Sequence, residues 1–290
     1  MIQCFNHNSF RSSFSETTIP QLVYSCKTES HHAALPRVLH MHPDKLEIVF
    51  IVSGKGVHFI GGTTYHTQKG DLLIYNANTL HDEIAAPSET LNVYCIAVNH
   101  LQLPELPPNH LVPETKKAVF ATEQQFDSFL SLFELIHQSI VEQGAHIGEI
   151  NNYLTRAVLS KIIALTEEEP YMVESEEAVV GRQIKEYIDQ HYMEEDINLN
   201  MIAQALHMSQ FYIAHLFKEI TNSSPMQYVI RRRIGEAQSL LINTNQSVTD
   251  IALLVGYRNS NHFHSAFQKI VGLTPRNYRK YWIAAYRHDK

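Results

Sequence analysis

The feature that most constrains this chain is an internal duplication. The segment F-K-E-I-T-N-S-S-P-M-Q-Y over 217–228 returns as F-Q-K-I-V-G-L-T-P-R-N-Y over 267–278. Phe217, Ile220, Pro225 and Tyr228 recur as Phe267, Ile270, Pro275 and Tyr278, all at an offset of 50. Ile202-Ala203 recurs as Ile251-Ala252 at an offset of 49, so the second turn holds one extra residue. One supersecondary unit has been copied once, and two copies are too few to close the core of a repeat array.

Each copy reads as two short helices joined by a turn. In the second, Ser247 is an N-cap candidate, because its hydroxyl can accept from an orphan amide of the first turn. Val248, Ile251, Ala252 and Val255 then share a face, and Gly256 follows where a helix end tolerates positive φ. A second helix opens near Ser260 with Phe263, Phe267 and Ile270 as its apolar stripe. Gly272 closes it and Pro275 prevents its continuation. These are the parts of a DNA-reading helix-turn-helix.

Placing the apolar stripes inward predicts the outward faces. In the first reader Ile213, Leu216 and Phe217 turn in, leaving Gln210, Phe211, Ala214, His215 and Lys218 outside. In the second, Ser260, Asn261, His264, Ser265 and Gln268 are outside. Asn and Gln can pair bidentately with adenine, and Phe211 or Ala214 can pack on thymine methyls. Lys218, Arg276, Arg279 and Lys280 suit phosphates better. A helix over 226–242 joins the units and carries Arg231, Arg232 and Arg233. Arg231 and Arg232 are expected along the phosphate backbone; the alternative is a pairing with a carboxylate such as Glu236.

The charge distribution agrees with this division. Residues 1–180 hold 10 Lys and Arg against 21 Asp and Glu, whereas 181–290 hold 13 against 9. The whole chain is at −7, so the basic balance is confined to the half that carries the repeat. That is the footprint of a phosphate-contacting surface.

On the residues I-A-L-L-V-G-Y, N-H-F-H-S-A-F-Q-K, G-L-T-P and N-Y-R-K, with the twin unit before them, the chain resembles the AraC/XylS family of bacterial transcription regulators. The resemblance covers about 181–283. It implies that the outward positions above read successive major-groove segments of promoter DNA, and that the protein is a homodimer working with RNA polymerase, typically as an activator. Where the family often has a basic residue this chain has His215 and Ser265, and where it usually has Gly this chain has Asn222.

The N-terminal half reads as β. Short β-branched runs from Leu46 to Val98 are separated by Gly54, Gly61-Gly62 and Gly70-Asp71, which points to a small sandwich or barrel. H-M-H-P-D-K-L-E-I-V-F-I-V-S-G places His40, His42, Glu47 and Gly54 as in the first motif of the cupin fold, and G-D-L-L-I-Y-N-A-N-T-L-H supplies Gly70 and His81 from the second. Asn76 and Asn78 replace that motif's usual Pro and Gly, and Ala34 and Ala85 replace the first motif's Gly and the second's Asn. The resemblance, over about 34–98, implies a pocket lined by His40, His42, Glu47 and His81. In cupin enzymes those positions hold a metal; in AraC-type sensors the pocket takes a small organic effector, often a sugar. No cofactor is expected, with a divalent metal on the same four residues as the alternative.

Two apolar helical stripes follow, through Phe129, Phe133 and Ile136 and through Leu154, Val158 and Ile162. They serve equally as a lid on the sheet or a dimer seam. Residues 167–180 are acidic and read as a linker. The expected organisation is therefore α+β with two domains: a cupin-like β-barrel with two following helices over 1–166, the linker, and an all-α domain with two helix-turn-helix units over 181–290. The expected function is effector-responsive transcription regulation without catalysis. The competing reading is a cupin metalloenzyme, an oxygenase or isomerase, with an accessory helical domain. Three widely spaced cysteines suggest neither disulfides nor zinc. With no apolar run of membrane-spanning length, a cytoplasmic location away from any membrane is expected.

Overall fold

The computed structural model describes residues 12–14, 18–28, 37–85, 91–142, 146–167, 170 and 175–288. Among the described residues nine strands precede nine α-helices. The strands are β1 (Gln21–Thr28), β2 (Arg37–His40), β3 (Leu46–Ser53), β4 (Lys55–Ile60), β5 (Thr63–Gln68), β6 (Asp71–Tyr75), β7 (His81–Ala85), β8 (Asn92–Asn99) and β9 (Val119–Ala121). They form a five-stranded sheet in the order β1-β8-β3-β6-β9 and a four-stranded sheet in the order β2-β7-β4-β5.

β3 is apolar at nearly every position because both faces of its sheet are covered. Leu46, Ile48 and Phe50 face α1 (Phe126–Glu142) and α2 (Ile147–Glu167). Val49 and Ile51 face inward with Leu73, Tyr75 and Cys95. Glu47 falls on that inner face by the period of two. Ile136, Val158 and Ile162 are buried under the sheet, so those parts of the helical stripes form its lid. Leu135, Val141 and Tyr153 remain exposed on the outer side.

The duplication is explicit in the helical half. α4 (Leu199–Ala205), α5 (Gln210–Thr221) and α6 (Pro225–Asn243) are followed by their copies α7 (Val248–Leu254), α8 (Ser260–Val271) and α9 (Pro275–His288). Ser209 caps α5 through the Tyr212 amide and Asn259 caps α8 through the Asn261 amide. Asn222 ends α5 at φ 56° and Gly272 ends α8 at φ 83°, so Asn222 takes the left-handed position that Gly usually fills. The repeated aromatic pair keeps its geometry. Phe217 meets Tyr228 edge-on at 5.4 Å and 76°, and Phe267 meets Tyr278 at 5.6 Å and 75°.

Three expectations change. The stretch 167–180 expected as an acidic linker overlaps two helices, since α2 runs to Glu167 and α3 (Glu176–His191) opens from the Ser175 cap, while 168–169 and 171–174 lie outside the described residues. The two halves also share a core. Val38, Leu39, Phe59 and Leu80 of the strands pack in one cluster with Ile184 and Ile188 of α3, Ile213 and Phe217 of α5, and Tyr228 of α6. The second unit has its own core around Phe263, Phe267 and Tyr278.

The third change concerns the basic triplet, which is mortar rather than a phosphate stripe. Arg232 is 1 % exposed. Its Nε donates to Asp189 Oδ1 at 2.8 Å and its Nη1 to Leu39 O at 3.2 Å, and it lies over the Tyr192 ring. Arg233 donates to Tyr192 O and Glu194 O, both at 2.6 Å, closing the end of α3. Arg231 pairs with Asp82 of β7. A charge this deeply buried must be paired and hydrogen-bonded. The pairing alternative foreseen for the triplet is correct in kind, but the partners are Asp189 and Asp82 rather than Glu236.

Arg232→Ala is expected to lower the unfolding free energy by about 3 kcal/mol, the low end for breaking a buried pair, because Asp189 keeps partial access to water. Equilibrium urea unfolding of the full chain measures it; a loss below about 1 kcal/mol would contradict this role.

Candidate functional site

The inner face of the strand-built half gathers the four residues expected there. Glu47 sits opposite Tyr75 in the β3–β6 ladder, and His40 sits opposite His81 in the β2–β7 ladder. His42 follows β2 in the loop rather than on the strand. One donor atom from each of His40, His42, Glu47 and His81 lies within 4.8 Å of all the others. His42 Nε2 is 3.0 Å from Glu47 Oε1, and His81 Nε2 is 3.4 Å from Oε2. The His40 and His81 rings are 4.3 Å apart.

Burial alone would raise the Glu47 carboxyl, but the imidazoles of His42 and His81 beside it hold it well below the usual carboxylate range. Neighbouring His58 is pushed down to about 4 by burial and by the charge of His81, against a bond to Asp82 that raises it. The pocket therefore presents an anionic carboxylate among imidazoles that can donate or accept. His42, at 17 % side-chain exposure, is its opening to solvent.

Two aromatic residues complete the site without having been legible in the motif. Tyr75 stacks on His81 at 4.0 Å and 15°. Tyr24 of β1 donates its hydroxyl to Glu47. Tyr75 could have been found from its place in the β6 run opposite Glu47; Tyr24 is distant in sequence and leaves no spacing signal. The two Asn departures have structural work. Asn76 donates to Val112 O at 2.7 Å and accepts from the Leu111 amide at 2.8 Å, pinning the 101–113 loop. Asn78 takes φ 61°, and its amide bonds to His42 O at 2.8 Å, so the turn before His81 is tied to the loop that carries His42.

The donor set suits a divalent cation in kind, since imidazole and carboxylate are Zn and Fe ligands. Metal–nitrogen bonds of about 2.0–2.1 Å put ligands on one ion some 3–4 Å apart, so the cluster needs only a small closure. A cleft of about 530 Å³ lies elsewhere, between β1 and the α1–α2 pair, lined by Leu22, Val23, Ile140 and Asn152. It has no imidazole or carboxylate, so the converging donors mark the site better than the cleft does.

On the helical half, α5 exposes Gln210, Phe211, His215 and Lys218, and α8 exposes Asn261, His264, Ser265 and Gln268. Ala214 and Ser260 are half-buried. Phe211 is 81 % exposed, an apolar ring left in water on a helix whose other face is core. Tyr212 beside it is also exposed and was not foreseen. Gln210 donates to Asn200 Oδ1, so α4 steers it. Arg276 and Lys280 are exposed, whereas Arg279 donates to Leu241 O and Gln246 O and ties α9 to the end of α6. Among the positions expected on phosphates, Arg231, Arg232 and Arg279 are thus engaged within the protein, and Lys218, Arg276 and Lys280 face solvent.

The comparisons with known proteins agree with this geometry. Residues 23–152 match the model of the AraC-like ligand binding domain, and 202–281 match that of a helix-turn-helix domain. The chain is 25 % identical over 293 residues to the HTH-type transcriptional activator RhaR of Mannheimia succiniciproducens, covering 98 % of each. It is 27 % identical over 248 residues to the uncharacterized HTH-type transcriptional regulator YdiP of Escherichia coli, covering 83 % of this chain and 80 % of the other. The melibiose operon regulatory protein of Escherichia coli is 33 % identical over 98 residues, which is 34 % of this chain and 32 % of that one. Among the described residues no helix is long and apolar enough to cross a membrane. The chain belongs to the AraC family of transcription regulators, with an N-terminal ligand-binding domain and a C-terminal helix-turn-helix DNA-binding domain.

Proposed function

We propose that this regulator is a cytoplasmic homodimer that activates transcription with RNA polymerase when a small polyhydroxylated effector, such as a sugar, occupies the site of His40, His42, Glu47 and His81. The observation that carries the reading is the convergence of those four donors inside the sensor. Imidazole offers one donor and one acceptor and the carboxylate accepts, a set that matches vicinal hydroxyls. Activation follows the likeness to relatives such as the transcriptional activator RhaR. The exposed Leu135, Val141 and Tyr153 on the α1–α2 pair are the proposed dimer face. No turnover is assigned to the site.

The same convergence favours a second reading, in which a divalent cation held by the four residues is itself the signal or recruits the effector. When bound, it would supply Lewis acidity and fixed coordination geometry.

In a reporter strain, His42→Ala and His81→Ala are expected to reduce the response to a panel of sugars and divalent metals at least tenfold while the protein stays folded and bound to DNA. Elemental analysis of protein purified without a metal-affinity tag separates the two readings. Stoichiometric metal lost in both variants, with a response abolished by chelator and restored by metal, favours the cation. An unchanged response in both variants removes the site from sensing.

The α5 and α8 faces are proposed to read the two ends of one operator. Asn261→Ala or Gln268→Ala is expected to relax base preference at one end by about 1–3 kcal/mol, and His215→Ala at the other. Lys280→Ala is expected to weaken all sequences alike and reduce the salt slope by about one. Binding selections on the variants read this; changes that all map to the same base pairs would contradict two separate readers.

A further inference from the structure

The four-stranded sheet ends on β2, and the open edge of β2 is bonded to the DNA-binding half. Val38 donates its amide to Gln238 Oε1 at 3.0 Å, and Leu39 O accepts from Arg232. A helix is covering a sheet edge, with side chains standing in for the missing strand. The approach is close because α6 has Gly235 there. A Cβ at that position would stand 2.5 Å from Val38 O and closer still to Leu39 O.

The other edge of β2 is thinly held. Its ladder to β7 pairs Arg37 with Glu83 and His40 with His81, with an irregularity between. Both strands end at the effector site, since His40 closes β2 and His81 opens β7. Adjacent strand residues face opposite ways. His81 therefore turns into the site, and Asp82 turns the other way, accepting from the Phe59 amide of β4 at 2.9 Å and pairing with Arg231 of α6. The donor atoms of the cluster lie up to 4.8 Å apart, so an occupant that engages His40 and His81 together draws the two strands toward each other. Among the described residues β2 pairs with one strand of its sheet, β7, whereas β7 pairs with both β2 and β4.

We propose that β2 is the transmission strand of this regulator: occupancy of the site shifts β2 against α6, and the Asp82–Arg231 pair is the latch that holds the DNA-binding half in its resting placement. The proposal rests on the sensor reading of the site. The latch lowers DNA affinity at rest, because it keeps a half with 10 Lys and Arg against 21 Asp and Glu docked on a half with 13 against 9. Release moves the acidic half away from the surface that meets phosphates.

Two substitutions open the latch without touching α5 or α8. Asp82→Asn keeps the side-chain shape and an acceptor for the Phe59 amide, and removes the charge that holds Arg231. Gly235→Ala drives α6 off β2 while favouring the helix itself. The measurement is fluorescence anisotropy of the full-length, effector-free protein on DNA recovered from a random pool by the wild type, with thermal melting to show that each variant is folded. Both variants are expected to bind about tenfold tighter than wild type with the same preferred sequence, within the usual range of allosteric coupling. A folded Asp82→Asn protein with wild-type or weaker affinity overturns the proposal, and it decides alone if Gly235→Ala does not fold. The reporter strain separates this failure from that of the sensor reading. Unresponsive His42→Ala beside wild-type behaviour of Asp82→Asn overturns only the transmission strand. A fully responsive His42→Ala overturns the sensor reading itself.

Discussion

One guanidinium carries the junction between the two halves. Arg232 is on the helix that joins the two readers, yet its bonds run to Asp189 of α3 and to the backbone of Leu39 in the sensor. A buried charge is tolerated only where partners are fixed on every side. In the resting placement its pairing therefore holds α3, α6 and β2 in one mutual arrangement. Phe59 and Tyr228, with ring centroids 6.0 Å apart, and the apolar residues around them fill the space that this arrangement encloses. The first reader is thereby built onto the sensor, and the second, with its separate core, hangs from the far end of α6 and from Arg233.

This asymmetry gives the molecule its regulatory logic. The readers are near copies, with matched caps, turns and Phe–Tyr pairs, but among the described residues the buried core shared with the effector-binding half draws its helical members from α3 and the first unit. A change at β2 reaches the first reader directly through the shared core and reaches the second through α6. The edge of β2 and the mouth of the donor cluster are parts of one short strand, so under the proposed function sensing and DNA reading are separated by very few bonds. The Arg258 side chain, which pairs with Glu195 across the two units, adds a solvent-exposed tie between them.

Much of this was legible in the chain. The duplication places both readers because Phe217 and Phe267, Pro225 and Pro275, and Tyr228 and Tyr278 have steric roles that tolerate little change. His40, His42, Glu47 and His81 were legible through the resemblance to the cupin motifs rather than through strand period, since His42 lies in the loop after β2. What was not legible depends on contacts between distant segments. Arg231, Arg232 and Arg233 look like a phosphate stripe, since composition carries no sign of Asp82, Asp189 or the end of α3 as partners. Tyr24 joins Glu47 from another strand, and no spacing announces it. Ile162 looked equally suited to a dimer seam and to a lid, because a stripe records burial but not what does the burying. The linker expectation over 167–180 failed at its end for a simpler reason: Ser175 caps a helix that acidic residues favour in its first turn.

The central claim is that sensor and first reader are one cooperative unit. Hydrogen exchange of the full-length protein under native conditions, resolved by segment, tests it directly. The account predicts that amides of β2, α3 and the first half of α6 exchange with a common opening free energy and lose protection together at low denaturant, while α8 opens separately. Independent opening of α3 and α6, with β2 still protected, would contradict it.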